Sequence, residues 1–247
     1  DQASLSDAEN QMGISYLNSN NHPKAIEYFL KSYETSKNLP DDNELFQGQL
    51  NLADVYLRDG QFDLAEAEAL SYLDRVKKMN LQHGIKNTYD KLGRIYVAKK
   101  DLKLGYGYYQ KGLLLALKNG SKLQKAESYN NIAIVYFENG DLTLAKECFL
   151  KALKLRKEIN NKIGIADSYY NVGDWHYHQG LYRESLPYYF QSMSFADSNN
   201  LAKESADAMY KIALNYEELK DYKSASVFYS KYIDATVKIE KNQRTKQ

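Results

Sequence analysis

Excess charge of one sign, cysteine, proline and long apolar runs are all scarce in this sequence. Its 247 residues include 33 Lys or Arg and 32 Asp or Glu, for a formal net charge of +1. So even a balance gives no electrostatic footprint for nucleic acid or for an anionic membrane surface. The one cysteine, Cys148, excludes an internal disulfide framework and a multi-cysteine zinc site, and it leaves the compartment open. Three prolines leave few places where regular structure must break. No stretch approaches the roughly 18 consecutive apolar residues of a membrane span, so no membrane insertion is expected within this region.

Constellations for chemistry are missing as well. There is no phosphate-cradling loop with its lysine and no dinucleotide fingerprint; Gly105-Tyr106-Gly107 has the wrong followers and falls within a helix. No serine carries a nucleophile-elbow pattern. His176 and His178 stand two apart, on different faces of a helix, so His176 reads as a packing residue rather than a metal ligand. Nothing near Cys148 compels a lowered pKa, so it reads as inert. Tyr106, Tyr108 and Tyr109 look like a stacking platform for bases, but without a basic excess they read as core. No catalytic residue, cofactor, metal or directly bound nucleic acid is expected.

What the sequence does have is tyrosine, 23 of them, and a period. A hydrophobic-small-x-x-aromatic pattern appears as Met12-Gly13 with Tyr16, Leu52-Ala53 with Tyr56 and Leu92-Gly93 with Tyr96. It returns as Ile132-Ala133 with Tyr136, Val172-Gly173 with His176 and Ile212-Ala213 with Tyr216. The small residues are spaced 40 apart throughout. In phase with them run Ala25, Ala65, Gly105, Ala145, Ser185 and Ala225, each followed four residues on by Phe29, Ala69, Tyr109, Phe149, Tyr189 or Tyr229. Spacings of three and four place these side chains on one helix face. Each period therefore predicts a helix A and a helix B. The small residue on A admits B closely, and the tyrosines fill the space between repeats. Turns are expected at Asn20-Asn21, Asp59-Gly60, Lys99-Lys100, Asn139-Gly140, Gln179-Gly180 and Leu219-Lys220, with second breaks at Pro40-Asp41, near Asn80, at Asn119-Gly120, Asn160-Asn161 and Asn199-Asn200. Ser6 with Glu9 predicts a capping box opening the first helix, and Pro23 suits the first turn of a helix B. Pro187 falls inside a helix B, where it removes a backbone bond and should kink the helix.

These patterns resemble the tetratricopeptide repeat family over nearly the whole chain. The resemblance implies an all-α fold, a right-handed α-solenoid of six antiparallel helix pairs. It implies a single domain over 1–247, with repeats at about 6–45, 46–85, 86–125, 126–165, 166–205 and 206–241. The proline that usually ends helix B is replaced by Lys37, Lys77, Leu117, Lys157, Asp197 and Val237, so helix B is expected to run further. Units this long resemble those of bacterial signalling proteins and their regulators.

In the family, ligands lie along a concave face lined by the A helices. No lysine stands at the concave positions where chaperone-binding members hold a terminal carboxylate. The resemblance instead points to repeats four to six, with Phe137, Tyr170, Tyr177 and Tyr210 beside Asp174 and Glu217. There a peptide or protein segment would dock, its backbone bonded by Asn130, Asn131 and Asn171. The acids would favour a ligand carrying Lys or Arg. The function implied is a protein- or peptide-binding module, the sensory or regulatory input region of a larger bacterial signalling protein; the alternative is a free-standing scaffold for complex assembly. The chain opens at Asp1 and closes in a polar run, which reads as a piece of a longer protein, with an extracytoplasmic site slightly favoured over a cytoplasmic one. Val227, Ile233 and Val237 on the last helix leave self-association open.

Overall fold

A computed structural model gives the arrangement of residues 2–37 and 47–244. Among them are twelve α-helices and no strand, the all-α helical repeat expected. The backbone groups into two compact units, Asp1–Asn119 and Gly120–Gln247, a division that the unbroken period does not announce.

The N-terminal unit holds α1 (Gln2–Asn18), α2 (His22–Ser36), α3 (Gln47–Arg58), α4 (Phe62–Lys78), α5 (Gln82–Ala98) and α6 (Leu102–Asn119). The C-terminal unit holds α7 (Lys122–Glu138), α8 (Leu142–Glu158), α9 (Lys162–Tyr177), α10 (Tyr182–Ser198), α11 (Ala202–Glu218) and α12 (Tyr222–Arg244). Odd-numbered helices are A and even-numbered ones B. Within each unit every helix packs on its chain neighbours, and successive A helices also touch: α1 on α3, α3 on α5, α9 on α11. The A helices begin at Gln82, Lys122, Lys162 and Ala202, four residues ahead of the repeat starts read from the sequence. The boundary expected at 45/46 and the break at Pro40-Asp41 lie outside the described residues.

The small residues do what their spacing suggests. A Cβ on Gly13 would sit 2.5 Å from the Phe29 ring, one on Gly93 2.5 Å from Tyr109, and one on Gly173 2.9 Å from Tyr189. Each ring stands sixteen residues later, on the partner helix B. Phe29, Tyr72, Tyr109 and Tyr189 are fully buried, and burial of an apolar side chain of this size contributes about 1.5–3 kcal/mol.

The A-to-B turn repeats faithfully. Asn20, Gly60, Lys100, Gly140, Gly180 and Lys220 all take left-handed backbone angles. The next amide bonds back to the carbonyl of Tyr16, Tyr56, Tyr96, Tyr136, His176 or Tyr216, closing each helix with a six-residue turn. Helix B runs past the missing proline in repeats two to six, since residues 77, 117, 157, 197 and 237 all lie inside helices. In the first repeat α2 ends at Ser36, with Lys37 as its C-cap. Pro23 stands in the first turn of α2, and α10 continues unbroken through Pro187.

The capping box at Ser6 is not formed. Helix α1 starts at Gln2, and Ser6 is buried within it. Its hydroxyl donates to the Ser32 carbonyl at 2.9 Å, and Ser32 returns the bond to the Ser6 carbonyl at 2.9 Å. Covered by α2, Ser6 serves the crossing of the two helices instead of an end. A complete capping box stands at Ser121 and Gln124, at the head of α7.

Candidate functional site

The expected site residues all belong to the C-terminal unit, where the A helices α7, α9 and α11 present them. Only part of the set converges. Asn130, Tyr170 and Asn171 line a cavity of about 330 Å³, together with Ile134, Arg156, Asp167, Ser192, Glu204 and Asp207. The Asn171 amide donates to Asn130 Oδ1 at 2.8 Å, repeating Asn51 to Asn10 in the N-terminal unit. Each amide keeps further hydrogen-bonding capacity. Tyr170 stands edge-on to Tyr189, ring centroids 5.6 Å apart. Asn131 is half-buried and lies outside this lining.

The other expected residues are engaged within the protein. Asp174 accepts the Tyr189 hydroxyl at 2.5 Å and an ion pair from Lys211 at 2.7 Å. Glu217 accepts the Tyr229 hydroxyl at 2.6 Å. Phe137 meets His178 edge-on at 5.2 Å, and Tyr177 packs against Tyr182 at 5.3 Å. Tyr210 is more open, tilted against Tyr229 and Tyr232. The charge of Asp174, expected to draw a basic ligand, is thus already met by Lys211, while Glu217 accepts one hydrogen bond from Tyr229 and keeps its charge.

Lys211 stands two residues before the small Ala213, the same register as Asn131 and Asn171, where the sequence suggests amides for a ligand backbone and gives no sign of an ion pair. Its ammonium sits over the Tyr170 and Tyr177 rings at 5.6 and 5.5 Å. The same relationship occurs in the N-terminal unit, where Asp54 pairs with Lys91, likewise 37 residues on, and with Arg94.

Further acids without a cationic partner line the cavity. Asp167 in α9 and Glu204 and Asp207 in α11 form no ion pair among the described residues. Surrounding protein raises the Asp167 carboxyl above its usual range, Arg156 opposing and Glu204 reinforcing the shift. Asp207 is raised for the same first reason, with Lys203 opposing. Both remain open to water at the cavity mouth, so crowding by protein rather than enclosure drives these shifts.

Arg156, from the last turn of α8, is 7% exposed. Its Nη1 donates to the Gly164 carbonyl at 3.0 Å and to Ser168 Oγ at 2.8 Å, while its buried Nε has no partner. Gly164 makes room for it, since a Cβ there would lie 2.8 Å from Arg156 Cδ and Nε. Burial lowers the guanidinium pKa, with Asp167 opposing.

The residues set aside for chemistry are packing residues. His176 is buried, stacked on Tyr188 at 5.1 Å and edge-on to Trp175 at 4.6 Å. Trp175 Nε1 donates to the Leu142 carbonyl at 2.6 Å. Burial pushes the Cys148 thiol up, away from a reactive thiolate. Tyr109 is core, and Tyr108 stacks on Tyr96 at 5.4 Å. No helix among the described residues is long and apolar enough to cross a membrane.

Models of the tetratricopeptide repeat match residues 4–78 and 84–158, and a second such model matches 207–235. By shape, BtubC from P. vanneervenii superposes with a TM-score of 0.73 at 16% identity, over 89% of this chain and 92% of its own. Aspartyl phosphate phosphatase F from Bacillus subtilis gives 0.71 at 16% identity; 96% of this chain matches, spanning 61% of the phosphatase. The Rap conjugation gene regulator of the plasmid pLS20, solved in complex with the Phr* peptide, gives 0.64 at 17% identity, over 94% and 74% of the two chains. At such identities the likeness establishes the fold. No curated protein matches the chain by sequence.

Proposed function

Because the chain belongs to the tetratricopeptide repeat family, we propose that it is a binding module for a peptide or extended protein segment, held along α7, α9 and α11. The observation that carries this reading is the cavity in which Asn130 and Asn171 stand beside the Tyr170 ring. Primary amides both donate to and accept from an extended backbone, and an aromatic wall gives a side chain apolar contact. The regulator of plasmid pLS20 that shares the fold was solved with a peptide, which supports the same use here.

In this reading the module carries no catalytic residue and no cofactor, and it acts as the regulatory input of a bacterial signalling protein. The gene sequence on both sides of these codons separates that role from a free-standing scaffold. A kinase or DNA-binding domain in the same frame supports input; neither one favours the scaffold. A leader before Asp1 with a membrane helix after Gln247 would support an extracytoplasmic site.

Binding itself is tested by selecting a displayed library of short random peptides on the full chain, then titrating the best peptide calorimetrically. Tyr170→Ala and Asn171→Ala should each weaken it by about tenfold or more, with helicity unchanged by circular dichroism. Full affinity in both variants would sink the groove assignment.

A further inference from the structure

The C-terminal cavity holds charges of both signs, with the negative in excess. Asp167, Glu204 and Asp207 crowd one side, from the first two turns of α9 and α11. Glu204 opposes ionisation of both aspartates, so the three carboxylates sense one another. Lys203 eases the charge of both aspartates without forming an ion pair among the described residues. Arg156, more than nine-tenths buried, lines the same cavity and is fixed by one nitrogen to Gly164 and Ser168. Asp174 on the neighbouring part of α9, by contrast, is paired with Lys211. Arg156 and Asp167 ease each other's charge, but three crowded carboxylates against one guanidinium leave the cavity short of positive charge.

We propose that this cavity is the specificity pocket of the peptide site and receives a lysine or arginine side chain of the bound segment. Asp167, Glu204 and Asp207 surround the cationic end, Tyr170 covers the aliphatic stem, and Arg156 donates to a carbonyl of the ligand. A volume of about 330 Å³ is at the small end for ligand sites and suits one long side chain with its peptide unit. The inference rests on the peptide-binding reading, and it adds which residue of the ligand is read and by which groups.

The test uses the full chain and the same displayed peptide library. Selected peptides should share a Lys or Arg, and replacing that residue by norleucine should cost at least about tenfold in affinity. Asp207→Asn and Glu204→Gln, both at the solvent-facing mouth, should cause a similar loss for the basic peptide and almost none for the norleucine peptide. Peptides selected without any basic preference would overturn the pocket while leaving the peptide site standing. If no peptide is selected, the peptide-site reading fails, and N-acetyl-arginine amide titrated by amide chemical shifts decides the pocket by itself. Shifts at Asp167, Ser168 and Asp207 that vanish in Asp207→Asn would uphold a cation pocket; an unchanged spectrum would overturn it.

Discussion

Lys211 Nζ lies 2.7 Å from Asp174 Oδ1, the oxygen to which the Tyr189 hydroxyl also donates. Helices α9, α10 and α11 thus meet at one carboxylate. Lys211 and Asp174 are only 17% and 26% exposed, so water cannot fully replace the ammonium once it is removed. Lys211→Gln should therefore lower the free energy of unfolding by about 1–3 kcal/mol, read from urea denaturation. Asp174→Asn, which keeps an acceptor for Tyr189, should cost less. An unchanged midpoint in Lys211→Gln would mean that the pair is solvated and adds nothing to stability.

Gly93 and Gly107 predict opposite results from one substitution. A Cβ on Gly93 would press to 2.5 Å from the buried Tyr109 ring, whereas one on Gly107 meets nothing within 4 Å. Gly93→Ala should destabilise by about 1–3 kcal/mol through overpacking. Gly107→Ala, inside α6, should stabilise by about 0.5–1 kcal/mol through reduced freedom of the unfolded chain. Thermal unfolding of the two variants checks both signs at once.

Lys220 adopts φ of 59° at a turn where three other repeats carry glycine. A side chain in that region costs roughly 1–2 kcal/mol, and the residue is exposed. Lys220→Gly should raise stability by up to about 1 kcal/mol, the gain reduced by glycine's freedom when unfolded. A fall in denaturation midpoint would show that the lysine side chain supports the turn.

The fold was legible because its determinants are periodic. Small residues every 40 positions mark where helix B approaches, and Gly13, Gly93 and Gly173 meet rings there. Helix ends were less legible, since Ser6-x-x-Glu9 and Ser121-x-x-Gln124 carry the same local signal. What separates them is that Ser6 is covered by α2, a tertiary fact. The candidate site was legible only in part. Asn130 and Tyr170 follow from position within the repeat, and Asn171 from its amide beside Tyr170. Arg156 does not, because it reaches the site from a helix B, and Lys211, in the register of Asn171, finds its partner only where α11 meets α9. Asp174 and Glu217 looked free in the sequence, and their partners emerge only once α9 meets α11 and α11 meets α12.

His176 occupies the position that is tyrosine in the other five repeats, and this makes stability depend on pH. Both ring nitrogens are buried without hydrogen-bond partners. Burial first, and the Lys146 charge second, lower its pKa below the ordinary value, while Glu184 opposes the shift. Trp175 and Tyr188 fill the remaining sides. A depressed folded pKa means that the unfolded chain binds more protons as pH falls through about 6.5. The stability tied to neutral His176 is therefore full above that pH. It is lost progressively as pH falls toward the lowered folded pKa, at no more than about 1.4 kcal/mol per pH unit. His176→Tyr installs the side chain of the other repeats and should remove this component, so the variant loses less stability than wild type between about pH 7.5 and about pH 5.5. Urea denaturation at both pH values measures the difference, and carboxylates such as Asp167 and Asp207 titrate alike in both proteins and cancel. Equal pH dependence in the two would show that His176 does not carry the titration.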